Sequence, residues 1–156
     1  MLVSLVLLSV LSGCDNGCEQ TRESFLRVSF VSTSGRSMRS IKAICTSGDR
    51  QYETKPFSTF TNVTFDLNPN ESDCLFGFEC TYSDYGDNYS AKESIQINYS
   101  SDPKFLDLAC GCTVTYEIQG ATIITAPGTE DPLFRKVIVN DPHIHTESGT
   151  NITIEY

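Results

Sequence analysis

Apolar side chains recur along this chain at every second position, not at every third or fourth. Leu26, Val28 and Phe30 alternate with Arg27 and Ser29, and Val63, Phe65 and Leu67 with Thr64 and Asp66. Cys74, Phe76, Phe78, Cys80 and Tyr82 share one phase, as do Ile95, Ile97 and Tyr99, and then Val114, Tyr116 and Ile118. A period of two places alternate side chains on one face of a strand. β-Branched and aromatic residues dominate these runs, as a half-buried pleated surface prefers. Shorter runs at 41–45, 122–125, 135–139 and 152–156 have the same character. Ser34-Gly35, Ser47-Gly48-Asp49, Asn68-Pro69-Asn70, Tyr85-Gly86-Asp87, Pro127-Gly128 and Ser148-Gly149 break the pattern where turns belong. Pro103, Pro132 and Pro142 each follow an Asp, which drives that Asp extended and predicts a turn at each. Eight to nine short strands at this spacing predict an all-β fold, an antiparallel β-sandwich, immunoglobulin-like or related. It forms one domain over residues 24–156, with the in-phase residues of the long runs, Leu26 to Ile118, facing inward.

The first residues follow a different rule. Residues 2–10 are almost wholly apolar and lead into Leu11-Ser12-Gly13-Cys14. A membrane span needs about 20 apolar residues, roughly twice this run. The segment reads instead as the apolar stretch of a signal peptide over residues 1–13, with small residues before the cut. Leu-Ser-Gly-Cys has the form of a bacterial lipobox, with Cys14 as the lipid attachment site and new N-terminus. No Lys or Arg precedes the run, so the expectation is a true start upstream. Residues 14–23 are polar and read as a tether. Several acyl chains on one Cys anchor stably, where a single chain holds only marginally. The expected location is therefore the cell envelope, outside the cytoplasm and on the outer membrane, with the membrane itself as one partner.

Six further cysteines, Cys18, Cys45, Cys74, Cys80, Cys110 and Cys112, form an even set that an oxidising compartment favours as disulfides. If residues 74–82 are one strand, Cys74 and Cys80 stand about 20 Å apart at about 3.3 Å per residue. A disulfide needs Cα atoms within about 7 Å, so these two must find other partners. Zinc is the competing use of cysteine, but neither Cys-x-x-Cys nor His-x-x-x-His spacing occurs.

Composition narrows the function classes. The 156 residues carry a formal net charge of −9 and a pI near 4.5, against the basic stripe a nucleic-acid binder needs. Between Arg22 and Lys55 there are seven basic and three acidic residues, whereas Phe57 to Ala91 holds six acidic and no basic ones. Such asymmetry can orient a domain on a partner, or it can be solvated loop charge. No Gly-x-Ser-x-Gly motif and no phosphate-cradling loop appears, so the expectation is a chain that is not an enzyme and holds no cofactor. His143 and His145 are the only histidines. In an extended segment both rings share one face, and with Asp141 or Glu147 they are the candidate metal ligands, set against a solvated loop. Asp84-Tyr-Gly-Asp-Asn-Tyr89 lacks the ligand spacing of a calcium loop. Its Tyr85 and Tyr89 are candidates for stacking on a sugar or a protein partner, or simply cover the sandwich end. Asn62, Asn70, Asn88, Asn98 and Asn151 open Asn-x-Ser/Thr triplets, which would carry glycans in a eukaryotic secreted domain.

From about Ser24 to Tyr156 the chain resembles a family of small Bacteroidota lipoproteins of unknown function. The resemblance rests on Cys14 with Cys18 close behind, Thr64-Phe-Asp-Leu-Asn-Pro69, the stretch Ile95 to Gly111 ending in Ala109-Cys110-Gly111, and the terminal Asn151-Ile-Thr-Ile-Glu-Tyr156. It implies an all-β envelope domain and a pairing of Cys18 with Cys110, and it brings no activity. Cys45, Cys74, Cys80 and Cys112 depart from that pattern. The resulting expectation is a lipid-anchored, non-catalytic binding or scaffolding module for an envelope protein or glycan. The alternative is a metal- or calcium-dependent module using the His143/His145 loop or the acidic 66–87 region.

Overall fold

The computed structural model describes residues 24–47, 50–53, 60–107, 111–145 and 149–156. The expected signal peptide and tether over residues 1–23, with Cys14 and Cys18, lie outside the described residues, as do Cys110 and Glu147. Among the described residues there are ten strands and no helix: β1 (Leu26–Val31), β2 (Ser37–Ser47), β3 (Arg50–Glu53), β4 (Val63–Phe65), β5 (Asp73–Asp84), β6 (Asp87–Asp107), β7 (Gly111–Ile124), β8 (Lys136–Val139), β9 (His143–Ile144) and β10 (Ile152–Glu155). They form a four-stranded sheet, β4-β1-β10-β8, and a six-stranded sheet, β3-β2-β5-β6-β7-β9. The all-β sandwich read from the alternation is the observed fold. Its pairs are antiparallel save β1 with β10, which run parallel from Val28↔Ile152 to Val31↔Glu155. The run at 122–125 is not separate: β7 carries it on from Val114 without a break.

The two inner faces meet where the period of two places them. Phe30 on β1 meets Phe78 on β5 edge-on at 5.8 Å between ring centroids, and Phe65 on β4 meets Phe76 at 5.3 Å. Leu26, Val28, Ile95, Ile97, Tyr99, Tyr116 and Ile118 are buried around them, while Val63 and Val114 pack against the rim half-buried. The void left between the sheets, among Leu26, Phe65, Phe76 and Ile97, is about 10 Å³. That space, among the described residues, is far below the several hundred Å³ of a ligand cavity.

Pro103 corrects the expected turn. It lies inside β6, opposite Val114 on β7. The β5 ladder ends at Asp73↔Asn98, so the far side of β6 is already an open edge at Pro103. A missing N–H costs nothing there.

Two tyrosines and one asparagine fasten the crossings between sheets. The Tyr99 hydroxyl donates to the Asn68 carbonyl at 2.9 Å and the Tyr116 hydroxyl to the Leu67 carbonyl at 3.0 Å. Burial, with Tyr99 and Asp66 nearby, pushes the Tyr116 phenol up to about 12. Asn151, fully buried, accepts the Arg27 N–H and donates to the carbonyls of Asp141 and His143. That side chain is consumed by the fold, which removes it as a glycan acceptor.

Candidate functional site

Beyond Cys80 the β5–β6 ladder runs on to Asp84↔Asp87, but the four-stranded sheet no longer covers it as it covers Phe76 and Phe78. The inner-face positions there are Tyr82 and Tyr89, directly opposite each other. Their rings stack at 5.6 Å and 25°. The Arg36 guanidinium sits 5.6 Å from the centre of the Tyr82 ring. Arg36 is held in turn by Asp84 at 3.1 Å and by a short contact to Asp131, which Arg135 also grips. These two arginines hold the Asp131 carboxyl below its ordinary range, Arg36 contributing most. The order Asp131, Arg36, Tyr82, Tyr89 is thus a fixed stack, with Tyr89 as its half-exposed last member.

The turn closing this hairpin is unusual. A two-residue loop needs positive φ at both central positions, which Asn-Gly supplies with least strain. Here the residues are Tyr85, at φ 49°, and Gly86, at φ 96°. Tyr85 is fully exposed. A bulky L-residue held left-handed costs free energy, and no packing offsets it at this tip.

Arg39, Thr81, Tyr82, Asn88, Tyr89 and Ser90 line a shallow concavity of about 520 Å³; Thr81, Asn88 and Ser90 are out of phase with Tyr82 and Tyr89, so their side chains project from the face of the hairpin opposite the ring stack. The Thr81 hydroxyl is fixed by Ser40 at 2.7 Å. Arg39 is exposed, at the bulge between Met38 and Ser40. The sequence singled out Tyr85 and Tyr89; it did not reveal Arg36, Arg39, Thr81, Asn88 or Ser90 as their neighbours, because that needs the β2–β5–β6 register.

The histidines lie at the other end of the sheet. His143 and His145 are both exposed, with Ile144 buried between them, as an extended segment predicts. Of the carboxylates expected beside them, Glu147 lies outside the described residues and Asp141 is tied to the backbone. Asp141 accepts the His143 backbone N–H at 3.0 Å. Glu117, opposite His143 across the β7–β9 ladder, lines a cleft with both histidines, Asp102 and Lys104. Asp102 and Lys104 pair at 3.7 Å. Among the described residues no three His, Cys, Asp or Glu side chains converge as metal ligands. The acidic 66–87 region is likewise dispersed: Asp73 accepts Gln96, Glu79 pairs with Lys92 and Asp84 with Arg36. The basic and acidic segments become neighbouring strands β2 and β5, with Lys42 opposite Glu79. Part of the asymmetry along the chain is therefore spent in cross-strand pairs.

Cys45 and Cys74 form a disulfide between β2 and β5, Cα atoms 6.1 Å apart. Cys74 and Cys80 share the unbroken strand β5 and do not bond to each other, as strand geometry requires. Cys80 and Cys112 carry free thiols, against the expectation of a fully paired set. The reason for Cys80 is register, since it faces Ile41 and Ala91. Burial, and then the Glu93 carboxylate, push its thiol up to about 12, so it is inert at neutral pH. Glu93 itself stands on the inner face of β6. Its Oε1 accepts the Leu133 N–H at 2.5 Å and its carboxylate also takes the Phe134 N–H. A carboxylate in the same phase as Ile95 and Ile97 is a signal the sequence carried and alternation alone passes over.

No curated protein and no solved structure matches the chain. One family does, over a stretch that begins inside β2 and runs to Tyr156. Residues 40–156 place the chain in a family of unknown function, DUF6452.

Proposed function

We propose that the protein is a lipid-anchored, non-catalytic binding module of the cell envelope, tethered through Cys14, that presents the β5–β6 hairpin to its partner. Tyr85 carries this reading. A fully exposed tyrosine held at positive φ contributes nothing to packing, and strain of that kind collects where contact with a partner offsets it. The packed core supports it too, since recognition must then occur on the outside. The Leu-Ser-Gly-Cys14 sequence behind an apolar run supports the anchor.

The test is a photo-crosslinking amino acid at position 85 of the processed protein in its native envelope, with position 31 as the exposed control. We expect a discrete crosslink from position 85 and none from position 31. Equal, diffuse labelling at both positions would overturn the reading. Cys14→Ala tests the anchor, and the expected product is an unprocessed or soluble chain. Full membrane partitioning of that variant without processing would refute the lipobox. A second, metal-dependent reading rests on His143 and His145, which line one cleft with Glu117 without the three converging as ligands. A metal bound only by the native state raises the melting temperature with metal concentration, and EDTA reverses this.

A further inference from the structure

We infer that the far end of the β6–β7 ribbon is a membrane-docking surface, which seats Phe105 in the zwitterionic lipid surface to which the chain is anchored. The inference rests on the Cys14 anchor of the proposed function and adds the contact that orients the domain on the bilayer.

The ribbon is amphipathic. The β5 ladder ends at Asp73↔Asn98, and β9 pairs only with Tyr116 and Glu117. From Pro103↔Val114 onward, β6 and β7 therefore pair with each other alone among the described residues. The register does not shift between Tyr99 and Phe105, and residues directly opposite share a face. One face thus carries Tyr116, then Pro103 with Val114, then Phe105 with Cys112. It prolongs the inner face of the core: Tyr116 is buried, Val114 half-buried, Pro103 and Cys112 exposed, and Phe105 65% exposed. The other face carries Asp102, Lys104 and Glu117, all exposed. At the opposite end of the sheet the uncovered inner face is tyrosine, whose hydroxyl suits water. Here Pro103, Phe105 and Val114 offer water no polar side-chain atom. An apolar strip backed by a charged face is the pattern of an element that lies in a membrane interface.

The entry point of the chain says what covers this strip. Leu26, the first residue of β1, pairs with Phe65, and two residues past Phe65 the Leu67 carbonyl accepts the Tyr116 hydroxyl. The Arg27 guanidinium donates to the carbonyl of His145, two residues past the His143 that faces Glu117. The chain therefore enters the domain at the root of the ribbon. Residues 14–23 span at most about 36 Å even when fully extended. Asp87, beside the Tyr85 turn, lies about 60 Å from Phe105 along β6. A tether that short, joined at the root of the ribbon, holds Phe105 near the lipid and leaves the Tyr85 turn at the far end. Docking is then intramolecular, so a contact too weak to recruit a free protein is sufficient.

Charge selects the lipid. Lys104 is paired with Asp102 at 3.7 Å, and Glu117 adds a second carboxylate to that face. The ribbon lacks the cluster of cations that draws a protein to anionic headgroups, so the contact is apolar and suits a zwitterionic surface.

The chain has no Trp, so Phe105→Trp, Lys104→Trp and Tyr85→Trp each supply a single reporter. Each processed lipoprotein is reconstituted into phosphatidylcholine vesicles, with or without phosphatidylcholine brominated on its acyl chains. Flotation with the vesicles reads the anchor, and quenching by bromine reads the contact. We expect all three to float. Quenching at position 105 should exceed that at position 104, whose side chain leaves the opposite face, by about twofold or more. The reporter at position 85 should stay unquenched, and added phosphatidylglycerol should not strengthen the quenching at 105. Unaltered melting temperatures confirm that the variants fold. Absence of quenching at 105, equal quenching at 104 or 85, or quenching that requires phosphatidylglycerol would each overturn the inference. A discrete protein crosslink from position 105 in the native envelope would assign the ribbon to a protein partner and overturn it as well. Flotation without quenching at 105 removes the docking surface and leaves the anchor, whereas failure to float removes the anchor and this contact with it.

Discussion

Two stretches of the same pair of strands meet opposite fates. On the inner face of β5 and β6, Phe76, Phe78, Ile95 and Ile97 are buried against β1 and β4. Further along that face, Tyr82 packs half-buried at the core's margin and stacks between Arg36 and Tyr89, and Tyr89 is half exposed. Ring count and alternation are alike in the two stretches. What differs is whether a second sheet lies opposite. Where it does, an aromatic side chain contributes through area removed from water and close packing. Where it does not, the chain uses tyrosine, whose hydroxyl tolerates solvent, and fixes it by stacking. The boundary between the two regions is Glu93, a buried carboxylate that ties the segment after Asp131 over the end of the core.

The largest test of this division is a pair of truncations. Phe78→Ala should cost about 3–5 kcal/mol in urea unfolding, because it removes a ring touching Phe30, Phe65, Phe76 and Phe134. Tyr89→Ala should cost about 0.5–1.5 kcal/mol, the worth of one stacked pair. Equal costs would mean that the overhang is an extension of the core after all.

Next in size is the disulfide, which lies on the core side of the boundary. Cys45 and Cys74 are separated by 29 residues, and the double variant Cys45→Ala/Cys74→Ala should lose about 2–4 kcal/mol. Hydrogen exchange should then rise along β2 and β5 near Phe76 and leave the Tyr82–Tyr89 stack unaltered. Faster exchange at the hairpin alone would contradict the assignment.

Glu93 probes the boundary itself. Removing its carboxylate in Glu93→Ala strands two backbone N–H groups, at about 1–3 kcal/mol. Its pKa is raised, by burial first, against the opposing pull of the Leu133 and Phe134 amides and Arg135. A carboxyl raised in the folded state favours folding most below its unfolded pKa of about 4.3. That contribution is lost as pH rises through the folded value. Glu93→Gln should flatten this part of the stability profile. Asp131, whose pKa is lowered, works in the reverse sense: its contribution is present above the unfolded pKa and lost as pH falls through the folded one. An unchanged profile in Glu93→Gln would show that the latch does not titrate with folding.

The fold was legible because burial and alternation are the same fact in a sandwich. Phe76 and Phe78 announced a core face, and the separation of Cys74 from Cys80 followed from strand length alone. The site was legible only at its tip, as two tyrosines around Gly86. Arg36 reaches the stack from one direction and Asp131 from another, 95 residues apart in sequence. No local pattern encodes that meeting. Pro103 misled for a related reason: the residue before proline reports an extended backbone, and extension fits an open strand edge as well as a turn. Cys80 misled because an even count favours pairing, while register decides it.

The smallest effect is also the sharpest, because its sign divides function from stability. Tyr85 occupies the first position of a turn that Asn fills with less strain. It is fully exposed, so replacing it forfeits no packing. Tyr85→Asn should therefore stabilise the protein by about 0.5–1 kcal/mol, part of the cost of holding an L-residue left-handed. Under the proposed function the same substitution should weaken engagement of the envelope partner, read as reduced retention of a crosslink placed at position 87. A gain in stability with engagement intact would mark Tyr85 as tolerated strain with no role. A loss of stability would mean that the ring packs on the hairpin in solution, and the division between core and overhang would then have to be drawn beyond Asp84.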